Sequence, residues 1–364
     1  MTTAIVQKSL KLLRRLALQV QIGNVKGKAP EFAFEPEEQE KLFGPYGEAD
    51  GLYVWKLNDV VCSGLYGGAI INKFNQLYLR FVSFPWGKTL HPVSSFPYVG
   101  KNVAEIDKAI YLITPEALNN YYHWVVDLLP RLLVLQKYNL NDLKDRVIIL
   151  HHNAKLYETN SLAMLGIDKD KVFRLKPFET VKVKDLVVAD YHGLNKPFPS
   201  WKKEILEGLH TGEPVLPKKK IYLLRGKQAK RSLIGEERLV AMLENLGFTI
   251  VNPQGMTFED QIRVLKNAEV VVALHGAALT NIIFCDPQTL IVELRSTYLP
   301  PEHYSSIAKT YNLRFETVSL SPKSLVQKKH IANKQSLILT EESINELMAK
   351  LSPVTNPLKG VSEN

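Results

Sequence analysis

Cysteine is nearly absent from this chain, which has only Cys62 and Cys285 among 364 residues. Two cysteines cannot form the disulfide framework of a small secreted domain, and neither belongs to a CxxC pair of the kind found in zinc or redox sites. A reducing compartment is the simpler interpretation. We therefore expect a cytoplasmic protein.

Long apolar runs are absent too. No stretch approaches the roughly 18 apolar residues of a membrane-spanning helix, and the first residues lack the apolar core of a signal peptide. We expect the protein to be neither secreted nor transmembrane. Residues 1–20 mix leucines with basic residues, and Lys8, Lys11 and Arg15 share one side of a helix. This segment could contact an anionic membrane surface peripherally, or it could pack on the protein or form a loose arm.

Positive charge is concentrated in one place. The chain has a net charge of +9, and residues 218–231 hold seven lysines and arginines with no acid. We expect no nucleic acid, because the chain shows neither zinc-ligand spacing nor the aromatic and basic pattern of an RNA-binding sheet. A small phosphorylated ligand needs only two or three well-placed cations. The sequence therefore favours such a ligand near the arginines, with 218–220 a solvated lysine cluster.

From about residue 107 onward, short apolar runs alternate with longer helical patterns, which is typical of βα units around a parallel sheet. The predicted strands are 109–115, 146–150, 185–190, 220–225, 249–253, 269–276 and 289–295. The predicted helices are 120–138, 156–165, 235–248, 258–268, 277–285, 301–312 and about 341–351. The first hundred residues are less regular, and residues 60–83 resemble antiparallel strands.

A candidate interdomain linker lies at residues 211–220, where TGEPVLPKKK combines glycine, two prolines and charge. It separates an N-terminal α/β domain, 1–210, with an irregular β-rich start, from a second α/β domain, 216–330. A C-terminal helix and tail, 335–364, could pack on either domain, including back on the first. We predict an α/β fold of two Rossmann-like domains facing a cleft. Ligands of such sheets bind at the carboxyl ends of the strands.

The segment VVVALHGAALTNIIF follows this rule most clearly, because a buried strand ends at Leu274 and a helix begins just after Gly276. Free amides at a helix start favour an anion, and a glycine lets a phosphate or sugar approach the backbone. The candidate ligand contacts here are His275, Gly276, Ala277, Thr280 and Asn281. Alternatively, the histidine is a structural turn residue and the glycine only permits the turn.

Two arginines and one acid complete this group. Arg225 ends a predicted strand and Arg231 precedes the next helix, and guanidinium groups bind phosphate bidentately. Glu293 lies near the end of an apolar strand, where burial without a partner would be costly. It could accept hydrogen bonds from ribose hydroxyls or from the helix that holds Asn281, or it could bond a neighbouring amide or Arg295.

The hydrophobic segment NNYYHWVVDLLPRLL carries His123, Asp127 and Arg131 at four-residue intervals. A histidine is an efficient base near neutral pH, and a carboxylate one turn away could orient it or act as the base itself. The three residues could instead form a buried polar network. Pro130 lacks an amide hydrogen and biases Leu129 away from helix, so we expect a break or kink near residue 129.

These segments, NNYYHWVVDLLPRL, YLLRGKQAKRSLIGEE and FEDQIRVLKNAEVVVALHGAALTNIIF followed by VEL, resemble glycosyltransferase family 61 in type and order over roughly residues 105–320. The family's pattern has HW followed by D and PRL, a second arginine before an Asn-Glu pair, and a signature close to HGAGLTN. Here Ala278 replaces the second glycine of that signature and Gly235 replaces the asparagine of the pair, leaving Glu236.

The resemblance implies a two-domain fold of the glycosyltransferase B type, with the first domain on the acceptor side and the second binding a nucleotide-sugar donor. It further implies inversion at the anomeric carbon, a glycan or other hydroxyl acceptor, and no required metal or other cofactor. A DKD triplet at 168–170 fits the metal-binding DxD pattern of some glycosyltransferases, but it lies in a polar turn and we expect no metal there.

The catalytic candidates in this interpretation are His123, Asp127 and Arg131. The donor-binding candidates are Arg225, Arg231, His275, Gly276, Ala277, Thr280, Asn281 and Glu293. Bacterial proteins that resemble this family are often linked to surface polysaccharide synthesis, which would place the enzyme at the inner face of the membrane. The alternatives are a nucleotide-sugar epimerase or hydrolase on the same fold, and a non-catalytic carbohydrate-binding or nucleic-acid-binding protein.

Overall fold

The computed structural model of the chain describes most of the sequence between residues 31 and 355. The described residues are 31–34, 41–46, 52–64, 68–81, 101–114, 116–137, 143–177, 179–190, 198–209, 218–225, 232–298, 302–323 and 335–355. The predicted surface helix at 1–20, Arg231, and residues 211–217 of the predicted linker lie outside them.

The chain forms two compact units. The first comprises 1–123, 134–155 and 166–194, and the second comprises 124–133, 156–165 and 195–364. The predicted division near residues 210–216 therefore differs from the structure, because three segments of the first half belong to the second unit. One reason is that Phe198 donates its amide hydrogen to Ser306 Oγ and accepts a hydrogen bond from Thr310 at its carbonyl.

The first unit contains a nine-stranded mixed sheet. Its strands are β1 (Glu31–Phe34), β2 (Lys41–Tyr46), β3 (Leu52–Ser63), β4 (Ala69–Ile71), β5 (Gln76–Tyr78), β6 (Lys101–Tyr111), β7 (Val147–His151), β8 (Val172–Leu175) and β9 (Glu179–Ala189). The order is β1-β5-β4-β3-β9-β6-β7-β8, with β2 paired to β3. Strands β9, β6, β7 and β8 are parallel neighbours, and β3 runs antiparallel to β4 and β9. The antiparallel arrangement predicted for residues 60–83 is thus confirmed.

Strand β6 begins at Lys101, eight residues before the strand predicted there. Its first half is polar and largely exposed, so the sequence shows no apolar run. Pairing with β9 supplies the missing stabilisation, since Glu105 and Asp107 form ion pairs with Lys182 and Lys184 of that strand. Such cross-strand pairs form only when the two strands are already neighbours.

The second unit contains a seven-stranded sheet. Its strands are β10 (Lys219–Leu223), β11 (Leu233–Ile234), β12 (Phe248–Val251), β13 (Ala268–Leu274), β14 (Leu290–Ser296), β15 (Arg314–Pro322) and β16 (Leu337–Ile338). Five of them form a parallel core in the order β12-β10-β13-β14-β15. Strand β16 runs antiparallel to β15 and pairs with β11. The apolar run from Val270 to Leu274 is buried throughout, as expected for a strand covered on both faces.

The α-helices agree with their predicted positions to within a few residues, except for α4, which the sequence did not predict. They are α1 (Tyr121–His123), α2 (Leu129–Lys137), α3 (Leu156–Met164), α4 (Ser200–Glu207), α5 (Glu236–Asn245), α6 (Phe258–Lys266), α7 (Glu302–Thr310) and α8 (Glu341–Thr355). Helix α8 buries Leu347 and Leu351 in the same core cluster as Val318 and Leu320 of β15. The C-terminal helix therefore packs on the second sheet.

A π-turn at Trp124–Leu128 joins α1 to α2, so the helical segment continues past Pro130. The prediction was a break or a kink near residue 129, and the break is wrong, because the helical conformation is continuous there. A π-turn inserts one extra residue, with hydrogen bonds from i to i+5, and the widened turn gives the proline ring room that an α-turn lacks.

The helix predicted at 277–285 is a 3₁₀ helix, Ala277–Phe284, and not an α-helix. Leu279 already donates its amide hydrogen to the carbonyl of Gly276, which tightens the first turn. Across the described helices, none is long and apolar enough to span a membrane. The α/β class, with two units that each hold their own sheet, is confirmed.

Candidate functional site

The candidate site lies at a point where the strand order of the second sheet reverses. Numbered along the chain, the five parallel strands have the order 2-1-3-4-5, in which β10 and β13 are adjacent. Connections leave these two strands in opposite directions, which opens a crevice at their carboxyl ends, and ligands of doubly wound sheets bind there. Arg225 follows β10 and His275 follows β13. The topology therefore brings two of the predicted ligand residues to one crevice.

Arg225 and Gly276 are in direct contact in this crevice. The Arg225 guanidinium donates a hydrogen bond to the carbonyl of His275. A Cβ atom added to Gly276 would lie 2.8 Å from Arg225 Nη1, so the absence of a side chain makes room for the guanidinium. Tyr304 donates its hydroxyl hydrogen to the Gly276 carbonyl at 2.7 Å. The turn is thus held from two sides, and a cation lies against its glycine.

His275 is held by its backbone and its ring. Its amide donates to the Leu294 carbonyl at 2.7 Å. Its ring packs edge-on against Tyr304, with 5.4 Å between centroids, and Nδ1 lies 2.5 Å from Glu293 Oε1. The second carboxylate oxygen of Glu293 is 3.7 Å from Arg295 Nη1. Of the roles predicted for Glu293, the contact with Arg295 is present, while its main partner is the histidine.

Thr280 and Asn281, which were expected to reach a ligand, are fully buried. Asn281 donates from its side-chain nitrogen to Gln261 Oε1 at 2.9 Å, a bond that ties the 3₁₀ helix to α6. Both side chains are enclosed by the protein in this structure, and their contact with a ligand stays a prediction. Ala277, the third residue of the HGA segment, is partly exposed beside Gly276.

Asp127 and Arg131 lie in a buried charged group that also contains Lys202. Lys202 Nζ donates to Asp127 Oδ1 at 3.2 Å, and all three side chains are almost completely buried. Burial lowers the pKa of Lys202, and the nearby Arg131 charge lowers it further, while Asp127 raises it. Asp127 therefore carries an ion pair within the second unit, an arrangement that sequence spacing did not predict.

Lys202 is the functional candidate that sequence reasoning missed, although a signal for it exists. On helix α4, positions 202, 205 and 206 fall on one side, and the other two are Ile205 and Leu206. A lysine within an apolar helical stripe needs a buried partner. Only the folded chain identifies that partner as Asp127, 75 residues away.

His123 ends α1 and belongs to the first unit, and its ring packs edge-on against Tyr122 at 5.2 Å. Asp127 bonds Lys202 through one carboxylate oxygen, and the predicted pairing of His123 with Asp127 stays a prediction. The DKD triplet lies in a 3₁₀ turn, Lys169–Lys171, before β8. Within the described part of the chain, no group of three or more His, Cys, Asp or Glu residues could hold a metal ion.

The Glycosyltransferase 61 family model matches residues 121–292, from the start of the helical segment with Asp127 to β14 of the second sheet. Over this range the chain is similar to glycosyltransferase family 61. The matched range holds Arg225, the HGA turn and the buried Lys202 group together.

Curated relatives in glycosyltransferase family 61 align over part of their length. A beta-1,2-xylosyltransferase of Arabidopsis thaliana is 33% identical over 81 residues, which cover 22% of this chain and 15% of the relative. Protein O-linked-mannose beta-1,4-N-acetylglucosaminyltransferase 2 of Xenopus laevis is 22% identical over 262 residues, which cover 65% of this chain and 44% of the relative. The chain thus spans less than half of the length of these relatives.

Among solved structures, the bacterial iron-containing dodecameric glycosyltransferase TibC from enterotoxigenic E. coli H10407 aligns with 92% of this chain and 99% of its own chain. The TM-score is 0.31 and the sequence identity 9%, a similarity too distant to bear on the function of this protein.

The departure of this chain from the Asn-Glu pair expected for family 61 has a conformational explanation. Gly235 precedes α5 with φ of 92°, in the left-handed region. Asparagine is one of the few other residues that adopt this region readily. The retained Glu236 accepts a hydrogen bond from Tyr222 of β10 at 2.9 Å. Glycine in place of asparagine therefore preserves the turn that anchors α5 to β10, the strand that precedes Arg225.

Proposed function

We propose that the protein is an inverting, metal-independent glycosyltransferase that moves a sugar from a nucleotide-sugar donor to a glycan or other hydroxyl acceptor. The observation that carries this proposal is the contact of Arg225 with the His275–Gly276 turn at the β10/β13 crevice, inside the range matched by family 61. A guanidinium and a glycine backbone at a switch point suit a diphosphate. In this role they stabilise the charge that develops on the departing nucleoside diphosphate.

The acceptor hydroxyl must lose its proton as it attacks the anomeric carbon. We propose His123 as the base, because an imidazole accepts protons near neutral pH. Asp127 is the less favourable candidate, since Lys202 occupies one of its oxygens. His123→Ala should lower the rate of transfer about a hundredfold while donor affinity changes little. Normal turnover by a folded His123→Ala protein would remove His123 from the mechanism.

Donor binding is tested first by thermal unfolding with a panel of nucleotide sugars. The panel starts with UDP-xylose and UDP-N-acetylglucosamine, since xylose and N-acetylglucosamine are the sugars in the names of the aligned relatives. A donor at about 100 times its Kd stabilises the folded state by about 2.7 kcal/mol, which raises the apparent Tm by several degrees. A panel that leaves the Tm unchanged throughout contradicts the proposal.

Arg225→Ala should then weaken the binding of that donor about tenfold or more in calorimetry, because a charge-assisted hydrogen bond to phosphate is lost. Arg263→Ala is the matched control, since Arg263 is an exposed arginine on α6 that pairs with Asp260. Equal donor affinity in both variants would contradict a phosphate role for Arg225.

Product analysis separates transfer from the rival activities. With donor and acceptor present, a transferase forms a glycoside whose anomeric configuration is opposite to that of the donor. A hydrolase or epimerase consumes donor when no acceptor is added. Metal independence predicts unchanged turnover after treatment with EDTA.

The cytoplasmic location, the membrane contact of residues 1–20 and the role in surface polysaccharide synthesis stay predictions.

A further inference from the structure

Glu293 and Arg295 are two residues apart on β14, so their side chains lie on the same face of the sheet. Glu293 is only 1% exposed, and a buried carboxylate is costly unless it is paired. It is paired twice, since Oε1 lies 2.5 Å from His275 Nδ1 and Oε2 lies 3.7 Å from Arg295 Nη1. The burial leaves Glu293 facing the histidine and not a ligand.

The contact also decides which ring nitrogen of His275 is used. An ionised carboxylate only accepts hydrogen bonds, so Nδ1 carries the hydrogen that bonds Glu293. Nε2 is then the nitrogen that remains for a ligand, and it donates to a phosphate oxygen only when it carries a hydrogen too. Glu293 of β14 and Tyr304 of α7 contact the ring. Arg295 pairs with the other oxygen of Glu293, and Arg225 bonds the backbone carbonyl of His275. The orientation of the ring is therefore fixed by the bond at Nδ1, by the contact with Tyr304 and by the hydrogen bonds of the His275 backbone.

We propose that Glu293 is a positioning residue, which fixes the His275 ring so that, when the diphosphate of the nucleotide sugar binds, the ring carries hydrogens on both nitrogens and Nε2–H donates to a phosphate oxygen. This inference rests on the proposed function for the identity of the ligand. It gives Glu293 a task other than binding ribose, because the carboxylate acts on the ligand only through the histidine. Arg295 supports this role, because its positive charge lies close to the buried carboxylate of Glu293.

The ring state is tested without any nucleotide, by nitrogen NMR of protein labelled at histidine. The His275 resonance is assigned by its loss in His275→Gln. We expect the tautomer with hydrogen on Nδ1 in the wild type, and a mixture of tautomers in Glu293→Ala. In Glu293→Gln the amide oxygen still accepts from Nδ1, so the wild-type tautomer should return. A neutral ring with its single hydrogen on Nε2, or a spectrum unchanged in Glu293→Ala, overturns the positioning role.

The ligand atom is tested with two variants of the histidine. The amide nitrogen of glutamine reaches about as far as Nε2, and that of asparagine only as far as Nδ1. With UDP and inorganic pyrophosphate as probes, His275→Gln should keep affinity within about threefold, and His275→Asn should lose about tenfold, the scale of one hydrogen bond to a charged group. The reverse order would overturn contact through Nε2.

A double-mutant cycle shows whether Glu293 acts through His275. Glu293→Ala alone should lower UDP affinity about tenfold, but it should cause no further loss of affinity in a protein that already carries His275→Ala. If Glu293 were merely structural, Glu293→Ala would lower UDP affinity by the same factor in both backgrounds. Glu316→Gln is the control, because Glu316 is a carboxylate on neighbouring β15 that pairs with Lys350. Circular dichroism and Tm confirm that each variant is folded.

The outcomes separate the two proposals. If the wild type binds neither UDP nor pyrophosphate nor any nucleotide sugar, the proposed function fails and the ligand contact of Nε2 fails with it. The NMR result still decides whether Glu293 positions the ring. If the wild type binds UDP and the cycle shows independent losses, donor binding stands and the positioning role is wrong.

Discussion

Asp127, Arg131 and Lys202 form a buried group of two cations and one anion. Taking charges out of water is costly, and an ion pair repays that cost only while both partners are present. Removing the anion leaves two buried cations close to each other. Asp127 therefore has a stability role that is separable from any role as a base.

Asp127→Asn should lower the free energy of unfolding by about 3 to 5 kcal/mol, because it leaves the Lys202 charge unpaired. Urea denaturation measures this loss. The double variant Asp127→Asn with Lys202→Met removes both charges and should recover most of the stability. If transfer by the stable double variant is still reduced about a hundredfold, Asp127 takes part in the chemistry. Recovered turnover would assign it to the fold alone.

The substitution Gly276→Ala tests the close approach of Arg225 to the turn at the crevice. In Gly276→Ala the new Cβ would meet Arg225 Nη1, the far end of a flexible side chain, which can move away. We expect less than about 1 kcal/mol of lost stability and about a tenfold loss of nucleotide affinity, since the guanidinium leaves its place beside the turn. Gly208→Ala, at the end of α4, is the control. Unchanged affinity in calorimetry would show that the contact is not needed for binding.

At the scale of elements, the turn before α5 explains how one residue exchange is tolerated. Gly235 has φ of 92°, and an added Cβ would lie 3.3 Å from Leu339 Cβ. The backbone conformation, more than the space, limits the choice of residue here. Asparagine meets the conformational demand at lower cost than a branched residue.

We predict that Gly235→Asn changes the free energy of unfolding by less than about 1 kcal/mol, whereas Gly235→Val lowers it by about 1 to 3 kcal/mol. Chemical denaturation of both variants measures the difference. Equal losses would mean that contact with Leu339, and not backbone strain, governs the position.

The helical segment from Tyr121 to Lys137 shows why helix faces cannot be assigned from spacing alone. A four-residue interval places side chains on one face only in a regular α-helix. The π-turn ahead of Pro130 changes that spacing. In the folded chain Asp127 and Arg131 lie near Lys202, while His123 packs against Tyr122. The proline is visible in the sequence, but the form of the adjustment is chosen by packing.

At the scale of the whole molecule, the acid stability of the first unit depends on a buried histidine. His151 ends β7, and its Nε2–H donates to the carbonyl of Thr114 at 2.5 Å. Burial lowers the pKa of His151 to about 4, the Thr114 bond opposes this shift, and the charges of His152 and Arg174 add to it. In the unfolded chain a histidine has a pKa of about 6.5.

Between pH 6.5 and about 4 the unfolded chain therefore binds a proton that the folded chain does not. The stability from neutral His151 is fully present above pH 6.5 and is lost as pH falls toward 4, in total about 3 kcal/mol. At pH 5 the expected loss is about 2 kcal/mol. His151→Gln should remove this part of the pH dependence, and His152→Gln should leave most of it, since burial is the larger cause of the shift. Hydrogen exchange of the amides in β6, β7 and β9 measures the stability of the first unit separately from that of the second. If the stability of His151→Gln depends on pH as that of the wild type does, the assignment to His151 is wrong.

The sequence by itself determined the α/β class, most element positions, and the placement of Arg225 and the HGA turn directly after strands. These features follow from local periodicity, because burial on one or both faces of an element leaves its mark within a few consecutive residues. Tertiary structure decided that β10 and β13 are neighbours, that Glu293 bonds His275, and that Lys202 bonds Asp127. Partners 18 and 75 residues apart in the chain are chosen by strand order and helix packing, which local patterns do not encode.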